Sequence, residues 1–181
     1  MAQWNIDPVH SEIKFKVKHL VVSTVTGQFR SFRGSVRANA PDFSDARIQF
    51  EADVDSISTN NDQRDGHLKS ADFFDAANYP KISFVSTSIK RKGDGKYELA
   101  GAMTLRGTNR PVLLDVTFNG TAMGFDGEVA GFEIIGKLNR QEFGLRWNAM
   151  TEAGGVVVSD EVKLEIAVEL KRAEVAAAIA A

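Results

Sequence analysis

Apolar and polar residues alternate with a period of two along most of this chain. Ile13, Phe15 and Val17 are interleaved with Glu12, Lys14, Lys16 and Lys18. Successive side chains of an extended chain point to opposite faces, so this spacing predicts a strand with one apolar and one charged side. The same pattern places Ile48, Phe50, Ala52 and Val54 opposite Arg47, Gln49, Glu51, Asp53 and Asp55. It returns at Tyr97, Leu99, Gly101, Met103 and Leu105, and at Val112, Leu114, Val116 and Phe118. It is most regular where Val162, Leu164, Ile166, Val168 and Leu170 face away from Glu161, Lys163, Glu165, Glu169 and Lys171. Candidate strands fall near residues 3–7, 11–19, 27–38, 46–56, 81–91, 96–106, 110–120, 127–138 and 156–170, about eight or nine in all, the range of small closed barrels. Turn signals at Gly93-Asp94-Gly95, Gly107 to Pro111 and Asn119-Gly120 predict antiparallel neighbours. Such a sheet, with few helices to cover it, buries its apolar face against itself as a sandwich or a barrel.

The alternation stops between Thr59 and Asn78. There Asn60, Asn61 and Asp62 offer capping oxygens ahead of Arg64, His67, Leu68, Ala71 and Phe74 at helical spacing, which predicts one or two short helices near residues 60–78. A short helical turn is expected near 140–143 and a frayed helical tail over 173–181. Neither an internal repeat nor a linker interrupts the chain. Its length suits one domain over residues 1–172 followed by that short tail.

Composition narrows the classes. With 43% hydrophobic and 25% charged residues, disordered and collagen-like classes are excluded. The net charge of −2, with basic residues dispersed, gives no footprint for nucleic acid. The absence of cysteine removes disulfide scaffolds, thiolate nucleophiles and zinc knuckles. The strand pattern begins at Trp4, too early for a signal peptide. With Met1 as the start, a cytoplasmic location is expected, and a periplasmic one if a leader has been removed. No apolar run approaches the roughly 18–20 residues that cross a bilayer, so stable membrane insertion is not expected.

A barrel of about eight strands is wide enough to be filled by side chains or to hold one small ligand. Gly34, Ala52, Ser86, Gly101, Gly120, Gly127 and Gly131 leave room, while Phe15, Phe29, Phe32, Phe50, Phe84, Met103, Phe118, Phe132, Phe143 and Trp147 supply a wall with few polar atoms. The pattern is equally that of a hollow suited to an apolar chain and of a dry aromatic core. Metal chemistry is not expected. His10, His19 and His67 lack the i, i+4 spacing of a helical pair. Ser11 and His10, as strand neighbours, face opposite ways. Gly93-Asp94-Gly95-Lys96 reads as a hairpin turn, and Asp72 and Asp75 as helix-end caps. The segment from Asn61 to Ser70 admits two readings: a lid whose Leu68, with Phe73 and Phe74, plugs a barrel end, or a mouth where Arg64, His67 or Lys69 meets a polar head group through charge-assisted hydrogen bonds.

Several stretches together resemble the YceI-like family of polyisoprenoid-binding, lipocalin-like proteins, from about Trp4 to Lys171. They are Ile6, Asp7, His10, Ser11, Phe15, Val17 and His19, then Ser23, Thr24, Val25, Gly27 and Phe29. The most specific part is Arg64, Asp65, His67, Leu68, Ser70, Asp72, Phe73, Phe74, Asp75, Tyr79 and Pro80. Leu105, Gly107, Pro111, Val112, Leu114, Val116 and Phe118 continue the likeness, and Asn139, Arg140, Phe143, Gly144, Trp147, Asn148, Gly155, Val158, Asp160 and Val162 close it. The resemblance implies an all-β, extended antiparallel eight-stranded lipocalin-like barrel. Its apolar tunnel would hold an isoprenoid chain such as a polyprenyl phosphate or a quinone tail, and a homodimer fits the likeness. The expectation is thus a lipid carrier without catalysis or cofactor, its tunnel lined by the aromatic wall with Val17, Phe73 and Phe74, and its head-group contacts at Arg64, His67 and Arg140. The rivals are an enzyme acting on an isoprenoid or fatty-acyl substrate, and a structural or interaction protein with a packed barrel.

Overall fold

The computed structural model describes residues 1–174. The strands are β1 (Ala2–Ile6), β2 (Glu12–His19), β3 (Ser23–Phe29), β4 (Phe32–Ala38), β5 (Arg47–Asp53), β6 (Ile57–Ser58), β7 (Lys81–Gly93), β8 (Lys96–Leu105), β9 (Thr108–Gly124), β10 (Gly127–Asn139) and β11 (Glu161–Arg172). One helix, α1 (Asp62–Lys69), lies between β6 and β7, and single 3-10 turns occupy Val54–Ser56 and Arg140–Phe143.

These segments form eight staves. β1 and β2 lie end to end along β11, β4 and β3 lie end to end along them, and β5 and β6 continue the third stave beside β4 and β3. β7 pairs with β5, each of β8 to β11 pairs with the strand before it, and β11 returns to β1 and β2. The result is a closed eight-stranded antiparallel barrel, in which Ser23–Gly27 of β3 pair with β2 alone because β6 reaches only Gln28 and Phe29.

The breaks within staves have local causes. Ile6 pairs with Leu170 and Glu12 with Ala167, so Asp7–Ser11 must loop out against Val168 and Glu169 alone. Pro8 cannot donate to a ladder. The Asp7 carboxylate accepts the Val9 N–H at 2.9 Å, and the Ser11 Oγ accepts the Glu169 N–H at 3.0 Å. The run expected over 27–38 is therefore two strands, broken at Arg30 and Ser31, whose carbonyl and amide groups bond to the turn at Asp53–Ser56.

Two turn assignments and one strand boundary are corrected. The reversal expected over Gly107–Pro111 is confined to Arg106 and Gly107, and Pro111 sits inside β9 opposite Ala102. It lies outside the part of β9 that β10 covers, an edge position where proline is tolerated. Asn119-Gly120 is a β-bulge: Gly131 pairs with Gly120 and Phe132 with Phe118, leaving Asn119 extra, and Gly120 has φ +110°. The reversal itself lies at Phe125-Asp126. The last strand begins at Glu161, five residues after the expected 156. Of the expected helices, α1 forms with Asn61 as its cap, its Oδ1 accepting the Arg64 N–H at 2.9 Å, and residues 71–78 continue as turns and coil. The expected helical tail falls outside the described residues from 175 onward; Ala173 and Glu174 are coil.

The alternation sorts the faces as expected. Tyr97, Leu99, Leu105, Val112, Leu114, Val116, Val168 and Leu170 are buried inside. In β7 an extra residue, Thr87, shifts the register between Ser86 and Ser88. Inward parity thereby passes from Ile82 and Phe84 to Ile89.

Candidate functional site

The barrel is closed at one end by aromatic rings. Phe43, on the β4–β5 loop, is 3% exposed and has its ring centroid 5.1 Å from Trp4, 5.4 Å from Phe118 and 5.1 Å from Phe132. The loop is pinned by the Tyr97 hydroxyl, which donates to the Asp42 carbonyl at 2.7 Å, and by the Asp45 carboxylate, which accepts the Asn39 and Ala40 N–H groups. Backbone donors hold the Asp45 carboxyl below its ordinary range. Burial, reinforced by the Asp42 charge, raises the Tyr97 phenol.

Above this plug a cavity of about 450 Å³ remains, within the usual span of small-molecule sites. Its wall is almost all hydrocarbon. Phe15, Val17, Phe29, Phe50, Phe84, Met103, Phe132, Phe143 and Trp147 line it, as do Phe73 and Phe74 from the segment after α1. Two expected wall residues do not. Phe118 lies in the plug, stacked on Phe132 at 5.1 Å, and Phe32 stacks on Phe50 at 6.3 Å. Phe43, Ile6, Ile13, Val36, Ile48 and Leu99 line it unforeseen. Phe43 has φ +60° in a loop after Pro41, and no period marks it.

The small residues do not create the hollow as expected. A Cβ on Gly101 would fall 2.3 Å from the Phe84 ring, and one on Gly34 would fall 2.5 Å from Ile6 Cδ1. Those spaces hold neighbouring side chains. The Ser86 hydroxyl accepts the Ile48 N–H at 2.8 Å, and Gly127 serves a turn with φ +113°. Of the seven, only Ala52 lines the cavity.

Polar lining residues gather at the other end: Lys18, His19, Thr59, Arg64, His67 and Arg140. Lys18, His19 and Arg64 are exposed, so this end is the mouth. Arg64 reaches it because Thr59 folds back on α1. The buried Asp65 accepts the Thr59 N–H at 2.8 Å and its hydroxyl at 2.6 Å. Thr59 in turn accepts Arg64 Nε at 2.7 Å on its hydroxyl and Nη2 at 2.8 Å on its carbonyl. Arg64 Nη1 makes no hydrogen bond among the described residues, so the guanidinium keeps unengaged donors at the rim. His67 is held more tightly. Its Nε2 is 2.8 Å from Asp72 Oδ2, and its ring meets Phe73 and Trp147 edge-on at 5.1 and 4.8 Å.

Arg140, the third residue expected at the head group, turns its donors to the backbone instead. It is 4% exposed, and it donates to the carbonyls of Ser159 at 2.9 Å, Leu145 at 2.7 Å, Trp147 at 2.7 Å and Val158 at 3.3 Å. Four of its five N–H groups tie residues 145–159 over the mouth, and Nη2 also stands 3.6 Å from Asp160 Oδ1. Burial lowers its pKa, against the pull of Asp160.

Outside the barrel, Asp7, His10 and Glu169 bring three ligand-type groups together. The Lys171 ammonium stands 3.0 Å from Asp7 Oδ2, so the cluster already contains its cation. The bond from His10 holds the Asp7 carboxyl far below its ordinary range, aided by Val9 N–H and Lys171 and opposed by burial. The same bond raises the His10 imidazole.

The YceI-like domain family matches residues 4–170 of the chain. A UPF0312 protein of Staphylococcus aureus (strain USA300) is 35% identical over 176 residues, covering 96% of this chain and all of that protein. Among solved structures, the YceI protein of Campylobacter jejuni has a TM-score of 0.74 at 29% identity, covering 87% of this chain and 90% of its own. BcnA of Burkholderia cenocepacia (TM-score 0.79, 22% identity, 91% and 98% coverage) shares the fold. So does a polyisoprenoid binding domain from Saccharophagus degradans (0.64, 15%, 94% and 98%).

Proposed function

The chain belongs to the YceI-like family, and on that premise we propose that it is a non-catalytic carrier of a long-chain isoprenoid lipid. The carrying observation is the cavity of about 450 Å³, hydrocarbon along its length, sealed by Phe43 at one end and edged with polar groups at the other. A flexible apolar chain gains about 0.8 kcal/mol per buried CH₂. Several isoprene units therefore supply well over ~10 kcal/mol before ordering costs. The polyisoprenoid binding domain from Saccharophagus degradans, which shares the fold, supports the same ligand class. Affinity then grows with chain length, and the head group rests at Arg64, with His67 beside it.

The lining also bears on catalysis. Among the described residues that line the cavity there is no carboxylate and one hydroxyl, Thr59, which is engaged by Asp65 and Arg64. His67 does pair with a carboxylate, but Asp72 is 53% exposed outside the tunnel, and the Ser70 hydroxyl beside the pair donates to the His67 carbonyl at 2.7 Å and not to its ring.

Two measurements test the reading. Solvent extraction of the purified protein followed by mass spectrometry is expected to release an isoprenoid lipid. Replacing Arg64 and His67 together by Ala is expected to weaken binding of a prenyl phosphate about tenfold or more, the worth of one charge-assisted bond, and that of the matching alcohol much less. Equal losses for both remove the head-group role, and no binding of either overturns the carrier.

A further inference from the structure

We infer that the rim of the cavity is a membrane-docking tip, which lays the mouth against a bilayer so that the lipid passes between bilayer and barrel without crossing water. This rests on the carrier reading and adds where the guest comes from. The β2–β3 hairpin turns at Leu20 and Val21, with the Val22 N–H donating to the His19 carbonyl at 3.2 Å. Both central residues have positive φ, 52° and 64°. This mirror-image turn is ordinarily built from Asn-Gly, because side chains crowd the backbone in that region. A β-branched residue there is a genuine outlier. The strain brings no packing in return: Leu20, Val21 and Val22 are 40%, 75% and 85% exposed. A turn that is both strained and apolar in water points to a partner that the structure does not contain.

The tip is joined to the mouth. Leu20 N–H donates to the Val157 carbonyl at 3.0 Å, and His19 forms a bridge with Val158. His19, Val157 and Val158 all line the cavity. The adjoining loop is closed by a Met150–Val156 bridge, and these two residues are 76% and 45% exposed. Asn148 fixes that loop, its Oδ1 accepting the N–H groups of Val157 and Val158 at 3.1 Å. Five exposed apolar side chains thus stand on one rigid rim, continuous with the tunnel entrance.

The occupant is a bilayer and not a second copy or a protein partner. A stable protein interface takes about 20–30 residues a side, and a narrow tip of five cannot supply them. Insertion a few ångströms into the headgroup and acyl boundary needs only such a tip. The exposed charges that adjoin the tip in sequence are of both signs, Lys18 and Arg146 as well as Glu152 and Asp160, so docking is driven by apolar burial and not by anionic lipid.

The test is flotation of the full chain, stripped of bound lipid, with phosphatidylcholine vesicles. Wild type is expected to float in low and high salt alike. The double variant Leu20→Asn, Val21→Gly supplies the residues the turn prefers, so it is expected to melt at the same or a higher temperature. Its vesicle partitioning is expected to fall at least tenfold, with binding of a fluorescent prenyl alcohol in solution unchanged within twofold. Wild type that stays unbound, a variant that floats equally well, or a tip that instead dimerises the protein in solution overturns the docking. Prenyl-alcohol binding, measured apart from vesicles, shows in each case whether the carrier reading still stands.

Discussion

Arg64 and Arg140 carry the same guanidinium into opposite circumstances: one rests on a single threonine at an exposed rim, the other is encased by four carbonyls. Sequence position alone does not separate them, because a side chain's spare donors depend on the backbone that happens to face it. Arg140→Met is expected to destabilise the protein by about 3 kcal/mol or more, since it leaves several carbonyls without donors. That corresponds to a melting temperature lower by roughly 6–12 °C at this size. Prenyl alcohol binding should fall along with it as residues 145–159 loosen. Calorimetry checks the first, and limited proteolysis within 145–159 the second.

The Asp7–His10 pair makes a pH prediction at the same scale. The His10 pKa is raised above its ordinary 6.5, so its stabilising bond is fully present below pH 6.5 and is lost as pH rises through the folded value. The Asp7 carboxyl is depressed below 3.8, so its contribution is present above pH 3.8 and lost as pH falls toward the folded value. The stability gap between wild type and His10→Gln should therefore be wider at pH 6 than at pH 9, measured by denaturant midpoint. A gap that widens on going to pH 9 contradicts the assignment.

At the scale of elements, the β4–β5 loop is a plug as much as a connection. Phe43→Ala removes a fully buried ring among Trp4, Phe118 and Phe132. It is expected to cost about 3–5 kcal/mol, read as a lower urea midpoint with unchanged slope. The cavity should also lengthen toward the opened end, so a longer prenyl chain should lose less affinity than a short one. Strands were legible in outline because period-two alternation is a local property of the chain. Breaks and bulges were less so. Asn119 and Thr87 are extra residues only relative to the strand beside them, and Asp7–Ser11 loops out only because β11 offers two positions where the first stave has five.

For the whole molecule, closure decides whether there is a hollow. A sandwich with the same alternation would interdigitate its two faces, whereas a ring of eight strands holds opposite walls apart. Narrowing the tunnel tests this directly. Ala52 lines the cavity and is 1% exposed. Ala52→Trp is expected to reduce affinity for a long prenyl alcohol by tenfold or more while sparing a short one, followed by displacement of a fluorescent apolar probe. An equal effect on both chain lengths indicates that the guest does not pass this point.

Which face of each strand is wet, where α1 starts and which polar residues flank it were written in the order of amino acids, because each depends on neighbours a few positions away. The aromatic lining was also largely readable, since inward parity follows from alternation. The hollow itself was not: whether rings such as Phe84 and Phe15 fill the space beside Gly101 and Gly27 or meet across the axis depends on contacts between residues distant in sequence. The plug at Phe43, the spent donors of Arg140 and the free ones of Arg64 belong to that second class, for packing and hydrogen-bond saturation exist only once remote segments have met.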